Sequence, residues 1–358
     1  MRRQESVVSA APEQSWIDWL ACPDCGSALK ASTGKLACAA CAKAWPIVDG
    51  VPHFVEDFPY WGEVPQAKMQ AVNDRADSGC WKAALLESGD AEVEKAAEMI
   101  LNLDRANWHW LANVPRDSRV LDLGAGTGTN AHALGLHYRE VIALEPVRER
   151  IEFMRRRFAQ EKLPNVKPVR SSLWSLPFAK ESFDMVAMNG VLEWVATGRT
   201  GNPHDLQKQA VKNVFGLLRP GGCFYLGIEN RLAYGSFLGW PDPHCGLPWV
   251  PILPRPLAHW YARRRGHAEG YRNYLYSSAG YRKLLESVGF NHIQTYVALP
   301  SYNHPRFLIP LDDNIFRYYF SNFAAGQLRW HRKLGFKALM ALKLLKYCEH
   351  SFVIFARR

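Results

Sequence analysis

Residues 120–130 read Val-Leu-Asp-Leu-Gly-Ala-Gly-Thr-Gly-Thr-Asn. An apolar strand here runs straight into a glycine-rich turn. Glycines at 124, 126 and 128 let a ligand come close to the backbone. The helix expected next, from about Asn130 to His137, turns its first N–H groups toward that ligand. A second strand, Glu140-Val-Ile-Ala-Leu-Glu145, then stops on a carboxylate, which can accept both hydroxyls of a ribose. Gly124, Gly126, Gly128 and Glu145 together predict a nucleoside-cofactor site. Thr129 stands where the third glycine of the dinucleotide fingerprint belongs, which argues against a nicotinamide dinucleotide.

The chain around this segment is long enough for one large domain and a small one. Its 48% hydrophobic and 22% charged residues are ordinary for a globular protein. Two arginines near the N-terminus have no apolar run behind them, so no secretory leader is expected. No stretch is apolar enough to span a bilayer, and a cytoplasmic protein is the simplest expectation. The net charge of +10 is unevenly placed. Residues 231–358 carry 18 Lys/Arg against 6 Asp/Glu, whereas residues 1–230 carry 26 against 28. An anionic partner is expected for the last third: a phosphorylated or acidic glycan, a lipid headgroup surface, or nucleic acid.

Four of the eight cysteines form a pattern. Cys22-Pro-Asp-Cys25 and Cys38-Ala-Ala-Cys41 are two C-x-x-C knuckles separated by twelve residues. Four thiolates so spaced close a tetrahedral zinc site. The segment is too short for its own core, so the metal would supply folding energy. Disulfides are the alternative, and a reducing compartment argues against them. Cys80, Cys223, Cys245 and Cys348 are scattered and read as packing residues.

Hydrophobic periodicity gives the rest. Ala91–Ile100 and Asp104–Ala112 read as helices. Val120–Leu123, Val141–Glu145, Val166–Ser171, Phe183–Met188 and Cys223–Glu229 read as strands. Helices are expected over Arg148–Glu161 and Leu206–Leu218, the latter ended by Arg-Pro-Gly-Gly. Tyr281–Val288 reads as a helix, with strands over Asn291–Ala298 and Ser351–Ala356. Such alternation predicts an α/β doubly wound parallel sheet of Rossmann type. The expected organisation is a flexible lead (1–15), a zinc ribbon (16–55), a helical lead-in (56–116) and a large domain (117–358). Residues 231–279 and 301–349 read as insertions in that domain.

The glycine segment, with Asp122 as its acidic member, resembles the first motif of class I S-adenosylmethionine-dependent methyltransferases. That resemblance implies S-adenosylmethionine bound by Asp122, Gly124, Gly126, Gly128 and Glu145. Ser172-Leu-Trp-Ser-Leu-Pro-Phe178, followed by Ser182-Phe-Asp184, resembles another motif of the family. It implies that the adenine lies by Ser172 and Leu173, with Ser172 in place of the usual aspartate. Asn189-Gly-Val-Leu-Glu-Trp-Val195 is similar to the loop that flanks the transferred methyl group, which implies roles for Asn189 and Glu193. Trp194 stands where many relatives have histidine. The ribbon, closed by Trp45-Pro-Ile-Val-Asp-Gly-Val-Pro, resembles the small zinc proteins that activate methyltransferases.

Glu229-Asn-Arg231 is a polar triplet at a strand end, where open α/β sheets bind ligands. Glu229 is a candidate catalytic residue there. Downstream lie Asp242, His244, His259, His267, Tyr234 and Tyr261, and His244 is the candidate base for a hydroxyl acceptor. Ile228-Glu-Asn-Arg-Leu-Ala-Tyr, with Leu253-Pro-Arg-Pro-Leu-Ala and Leu299-Pro-Ser-Tyr-Asn303, looks similar to methyltransferases of bacterial surface-polysaccharide gene clusters. The expectation is O-methylation of a glycan or other hydroxylated small molecule, with an anionic group on the acceptor as an option. Two rivals remain. One is an rRNA or tRNA base methyltransferase, but the ribbon is near neutral and the N/D-P-P-Y/F signature of amino-group methylation is absent. The other is a non-catalytic zinc-ribbon activator or scaffold, which the intact glycine run and Glu145 oppose. Residues 328–347 mix cations with Trp, Phe and Leu. They read either as a peripheral contact with the inner membrane face or as the solvated face of a packed helix.

Overall fold

The computed structural model describes residues 14–324 and 330–358. The described residues fall into two compact units, one within residues 1–103 and 115–184, the other within residues 104–114 and 185–358. Of the expected lead, residues 1–13 lie outside the described residues, while Gln14 and Ser15 belong to a short helix, Gln14–Ile17.

The first unit begins with the ribbon. Its strands are β1 (Leu29–Ser32), β2 (Lys35–Cys38), β3 (Ala44–Val48) and β4 (Val51–Pro52), an antiparallel meander in that order. Three helices follow, Gln66–Ser78, Trp81–Leu86 and Ala91–Leu101. Asp90 caps the last of them by accepting hydrogen bonds from Glu92 N and Val93 N. Val93, Ala96, Ala97 and Ile100 recur on one face and are buried, together with Trp81 and with Phe153 of helix Arg148–Gln160. Then come β5 (Arg119–Leu123), helix Thr129–Gly135, β6 (Glu140–Glu145), helix Arg148–Gln160 and β7 (Val166–Arg170). β5, β6 and β7 are parallel neighbours in that order. Such a parallel set needs helical crossovers, which the two helices provide.

β8 (Phe183–Asn189) runs from the first unit into the second. Helix Pro203–Leu217 leads to β9 (Leu218–Glu229). Later strands are β10 (Asn291–Ser301), β11 (His304–Pro310) and β12 (Ser351–Arg357). Their order is β8-β9-β12-β10-β11, with β12 antiparallel to both β9 and β10. This is the α/β doubly wound, Rossmann-like architecture expected, ending in an antiparallel set. Two details differ. β9 starts at Leu218, so Arg-Pro-Gly-Gly lies inside the strand's span. Residues 304–310, expected inside an insertion, form the edge strand β11 and pair with β10. Residues 104–114 of the expected lead-in belong to the second unit, where Trp108 stacks on Tyr225 at 3.5 Å.

Of the basic stretch 328–347, residues 328 and 329 lie outside the described residues, and helix Trp330–Ala341 spans much of the rest. Leu334, Leu342 and Leu344 are exposed along the stretch. Among the described residues no helix is long and apolar enough to cross a membrane.

Candidate active site

In the first unit the glycine turn is tied to the end of β6. Gly124 N and Ala125 N both donate to the Leu144 carbonyl at 2.9 Å. Gly124, Gly126 and Gly128 all have positive φ. At Gly128 a Cβ would also lie 2.7 Å from Met154 Cγ and Phe158 Cζ, so the position takes only glycine. Glu145 completes the loop. Its Oε2 accepts from Gly126 N at 2.9 Å and its Oε1 from Val147 N at 3.1 Å. Burial pushes this carboxyl above the usual carboxylate range, and the Arg150 guanidinium 3.9 Å away is the main opposing influence. Arg150 is itself anchored by Glu63 at 2.6 Å.

Ser171 N donates to the Glu145 carbonyl, which brings Ser172 and Leu173 beside the end of β6. The Ser172 hydroxyl accepts from Trp174 N at 3.3 Å. Asp122 is buried within β5. Asn130, two residues past Gly128, has a buried Oδ1 with no hydrogen-bond partner. A glycine turn, a buried carboxylate and an unsatisfied amide oxygen form a polar set that fits a nucleoside. Asn189, expected with this group, belongs to the second unit. Its Oδ1 accepts from Tyr225 OH at 2.7 Å and its Nδ2 donates to Asn303 Oδ1 at 3.2 Å.

The ribbon brings its four thiols together. Cys22 Sγ lies 3.5 Å from Cys41 Sγ, and Cys25 Sγ 3.5 Å from Cys38 Sγ. All four sulfurs lie within 4.8 Å of one another. Zinc–sulfur bonds of about 2.3 Å place tetrahedral sulfurs about 3.8 Å apart, so the arrangement fits a zinc ion held by four thiolates.

In the second unit the three candidate catalytic residues, far apart in sequence, meet. Glu193 lies on the short helix Leu192–Trp194 after β8. Gln207 holds that turn through the Leu192 carbonyl and Asn273 through the Glu193 carbonyl. Glu229 ends β9. Residues 241–248 form a loop closed by a bridge between Pro241 and Pro248. Inside it Asp242 Oδ1 accepts from His244 N and Cys245 N, a side-chain turn that fixes the histidine backbone. His244 Nε2 then lies 3.7 Å from Glu229 Oε2 and 3.9 Å from Glu193 Oε1, while Nδ1 faces Asp242 Oδ1 at 3.3 Å.

Tyr302 completes the cluster by donating to Glu229 Oε1 at 2.8 Å. Gly190 makes room for it, since a Cβ there would lie 2.6 Å from the Tyr302 hydroxyl. Burial and the neighbouring Glu193 push the Glu229 carboxyl up to about 7, against the pull of His244. Burial alone would lower His244, but Asp242, Glu193 and Glu229 outweigh it and raise the imidazole to about 10.

The triplet Glu229-Asn-Arg231 does not act as a unit. Asn230 donates to the Tyr347 and Glu349 carbonyls, and Arg231 to the Pro251 and Leu253 carbonyls. Asn230 thus ties the end of β9 to residues 347–349, and Arg231 ties it to residues 251–253. His259 lies against Gly270, and Tyr234 packs among Trp240, Phe336 and His350. Tyr302 and Arg105, which donates to Asn303 at 2.8 Å, were not among the expected site residues. The only trace of Tyr302 in the sequence is the Leu-Pro-Ser-Tyr-Asn string.

Residues 121–226 match the family model described as a methyltransferase domain. The chain is 35% identical over 113 residues to an uncharacterized methyltransferase of Bacillus subtilis, YcgJ, covering 31% of this chain and 40% of that protein. It is 26% identical over 186 residues to a second one from the same organism, YodH, covering 51% and 64%. The chain thus spans less than two thirds of these curated relatives. A solved complex between the Haloferax volcanii Trm112 methyltransferase activator and the putative methyltransferase aligns at TM-score 0.43 and 16% identity, over 80% of this chain and 96% of that one.

Proposed function

We propose that this chain, which carries a methyltransferase domain over residues 121–226, moves the methyl group of S-adenosylmethionine to a hydroxyl of a glycan or other small acceptor. The bound cofactor supplies an already activated methyl on its sulfonium. The glycine turn and Glu145 would hold the nucleoside, with Ser172 and Leu173 beside the base. Four thiolates of the ribbon would hold a structural zinc.

The observation that carries the acceptor assignment is the cluster of Glu193, Glu229 and His244, in which the Glu193 and His244 side chains are buried and Glu229 is partly exposed. A hydroxyl must lose its proton as it is methylated, whereas much of the remaining catalysis is positioning. A buried and a partly exposed carboxyl group beside an imidazole, steadied by Asp242 and Tyr302, are suited to that proton. Asp242 sets the ring orientation, and Tyr302 fixes one oxygen of Glu229 so that the other faces the imidazole.

The test is methyl transfer by the purified full chain to glycans and hydroxylated small molecules, with rRNA and tRNA in parallel. Transfer to RNA alone would overturn the acceptor class, and no S-adenosylhomocysteine binding would overturn the enzyme. Glu229→Gln should lower turnover while leaving S-adenosylhomocysteine affinity nearly unchanged. Equal loss of both would place Glu229 in the cofactor shell.

A further inference from the structure

We infer that Glu193, Glu229 and His244 form a binding site for a single divalent metal cation, separate from the thiolate ribbon. The inference goes beyond the methyl-transfer reading and stands on the second unit alone.

One observation is the ligand geometry. One atom from each residue lies within 4.8 Å of the others. The His244 Nε2 distances of 3.7 and 3.9 Å correspond to ligands about 2.3–2.4 Å from a shared tetrahedral centre. That is within a few tenths of an ångström of ordinary metal–oxygen and metal–nitrogen bonds, about 2.0–2.6 Å.

A second, independent observation is Glu193 itself. The residue is 1% exposed, and neither carboxylate oxygen has a hydrogen-bond partner. Its nearest cationic neighbour is His244 Nε2 at 3.9 Å. Glu229 Oε2, on the same side of the ring, is also without a hydrogen bond. An ionised carboxylate buried in this way is costly unless something pairs with it. Among the described residues no lysine or arginine forms an ion pair with Glu193, Glu229 or Asp242. Three carboxyl groups therefore surround one imidazole.

The third is the arrangement of Asp242. Its carboxylate lies on the Nδ1 side of His244, and that side chain is fully buried. A carboxylate on Nδ1 fixes the ring and turns Nε2 toward the two glutamates, the usual support of a metal-bound histidine, and a cation bound there would take the place of the Nε2 proton. Tyr302 does the same for Glu229 through the other oxygen. An imidazole nitrogen with two carboxylates suits manganese, iron or zinc better than calcium. It differs sharply from the soft thiolate set of the ribbon. If the acceptor is a hydroxyl compound, a cation here would bind its oxygen and ease loss of the proton.

Mn2+ distinguishes the two sites, because it prefers oxygen and nitrogen to thiolate. The full chain, with its ribbon metal retained, is titrated with Mn2+ while free Mn2+ is followed by electron paramagnetic resonance. A single Mn2+ per chain is expected. Glu193→Gln and His244→Ala should each weaken binding by at least about tenfold, and Asp242→Asn by about 10–100-fold. Circular dichroism and a thermal melt check folding, and Glu229→Gln is a second conservative variant. Equal Mn2+ affinity in wild type, Glu193→Gln and Glu229→Gln would overturn the site. So would no uptake of Mn2+, Co2+ or Zn2+ beyond the ribbon's equivalent. Glu193-dependent binding of an organic ammonium, with no metal uptake, would replace the cation by a cationic acceptor. S-adenosylhomocysteine titration on the same samples reports separately on the cofactor loop, so failure of one leaves the other standing.

Discussion

The Glu145 carboxylate is engaged at both oxygens by the backbone, through Gly126 N and Val147 N. It therefore shapes the turn, and in the proposed cofactor site it would also accept from a ribose. Glu145→Ala should weaken S-adenosylhomocysteine binding by roughly 1.5–3 kcal/mol, the range for hydrogen bonds to a charged group. Calorimetric titration checks this, and unchanged affinity would remove Glu145 from the site. Glu349 is a residue of another kind. It is buried in the second unit, and burial pushes its carboxyl up to about 7. An acid raised in the folded state binds its proton more tightly there than when unfolded. Its contribution to stability therefore falls as pH rises from about 4.5 to about 7, then levels off. Glu349→Gln removes that penalty. The variant should melt higher than wild type at pH 8, by up to about 3 kcal/mol, and show no gain near pH 4. A gain that does not change with pH would mean packing, not charge. Residue identity was legible in sequence for Glu145 because its partners lie in one short segment. Glu193, Glu229 and His244 were each legible as candidates, but their meeting was not, since chain closure over dozens of residues sets it. Tyr302 carried no chemical signal of its own.

At the scale of elements, the ribbon has a second duty. β7 is an edge strand, which leaves backbone groups unpaired. The ribbon's end covers it: Phe54 N donates to the Arg170 carbonyl at 2.8 Å, and His53 bridges Arg170 in parallel. Nearby, Ala21 N donates to the Pro177 carbonyl at 2.9 Å, and the Arg119 guanidinium lies over Trp19 at 3.5 Å. Losing the metal would free these contacts as a unit. Chelation, or Cys38→Ser, should speed hydrogen exchange at Ala21 and Phe54 while the amides of β5 and β6 stay protected. Purified protein that contains no zinc by elemental analysis would sink the ribbon assignment. The ribbon was legible because four cysteines announce it. β11 was not. Pro305 and Pro310 make its sequence read as loop, and a strand tolerates them there because it is the sheet edge, where missing N–H groups cost no ladder bond. β9 misled in the same way, since Pro220-Gly-Gly222 reads as a helix stop and a turn. The backbone bonds of Gly221 and Gly222 with Arg358 draw it alongside the chain end instead.

At the scale of the whole chain, charge separates the two acceptor classes. Residues 231–358 carry a surplus of twelve cations, and residues 1–230 a deficit of two. Arg264 and Arg265 lie over the Trp260 and Tyr261 rings, at 5.7 and 5.6 Å, on helix Arg255–Arg264 and its C-terminal cap. Arginine beside an aromatic face suits either a sugar phosphate or a stacked base. Salt tells these apart, because each neutralised phosphate adds to the dependence of affinity on ionic strength. A nucleic acid held through 6–10 phosphates loses roughly 10³–10⁵ in affinity between 50 and 200 mM salt, while a single phosphate contact loses only about threefold to fourfold. The acceptor KM should therefore rise by no more than about fourfold over that interval, and the S-adenosylhomocysteine affinity should hardly move. The measurement is steady-state methyl transfer at the two salt concentrations with the best acceptor found. A rise of a thousandfold or more would mean that the basic third grips a polyanion, and the RNA methyltransferase assignment would then replace the small hydroxylated acceptor.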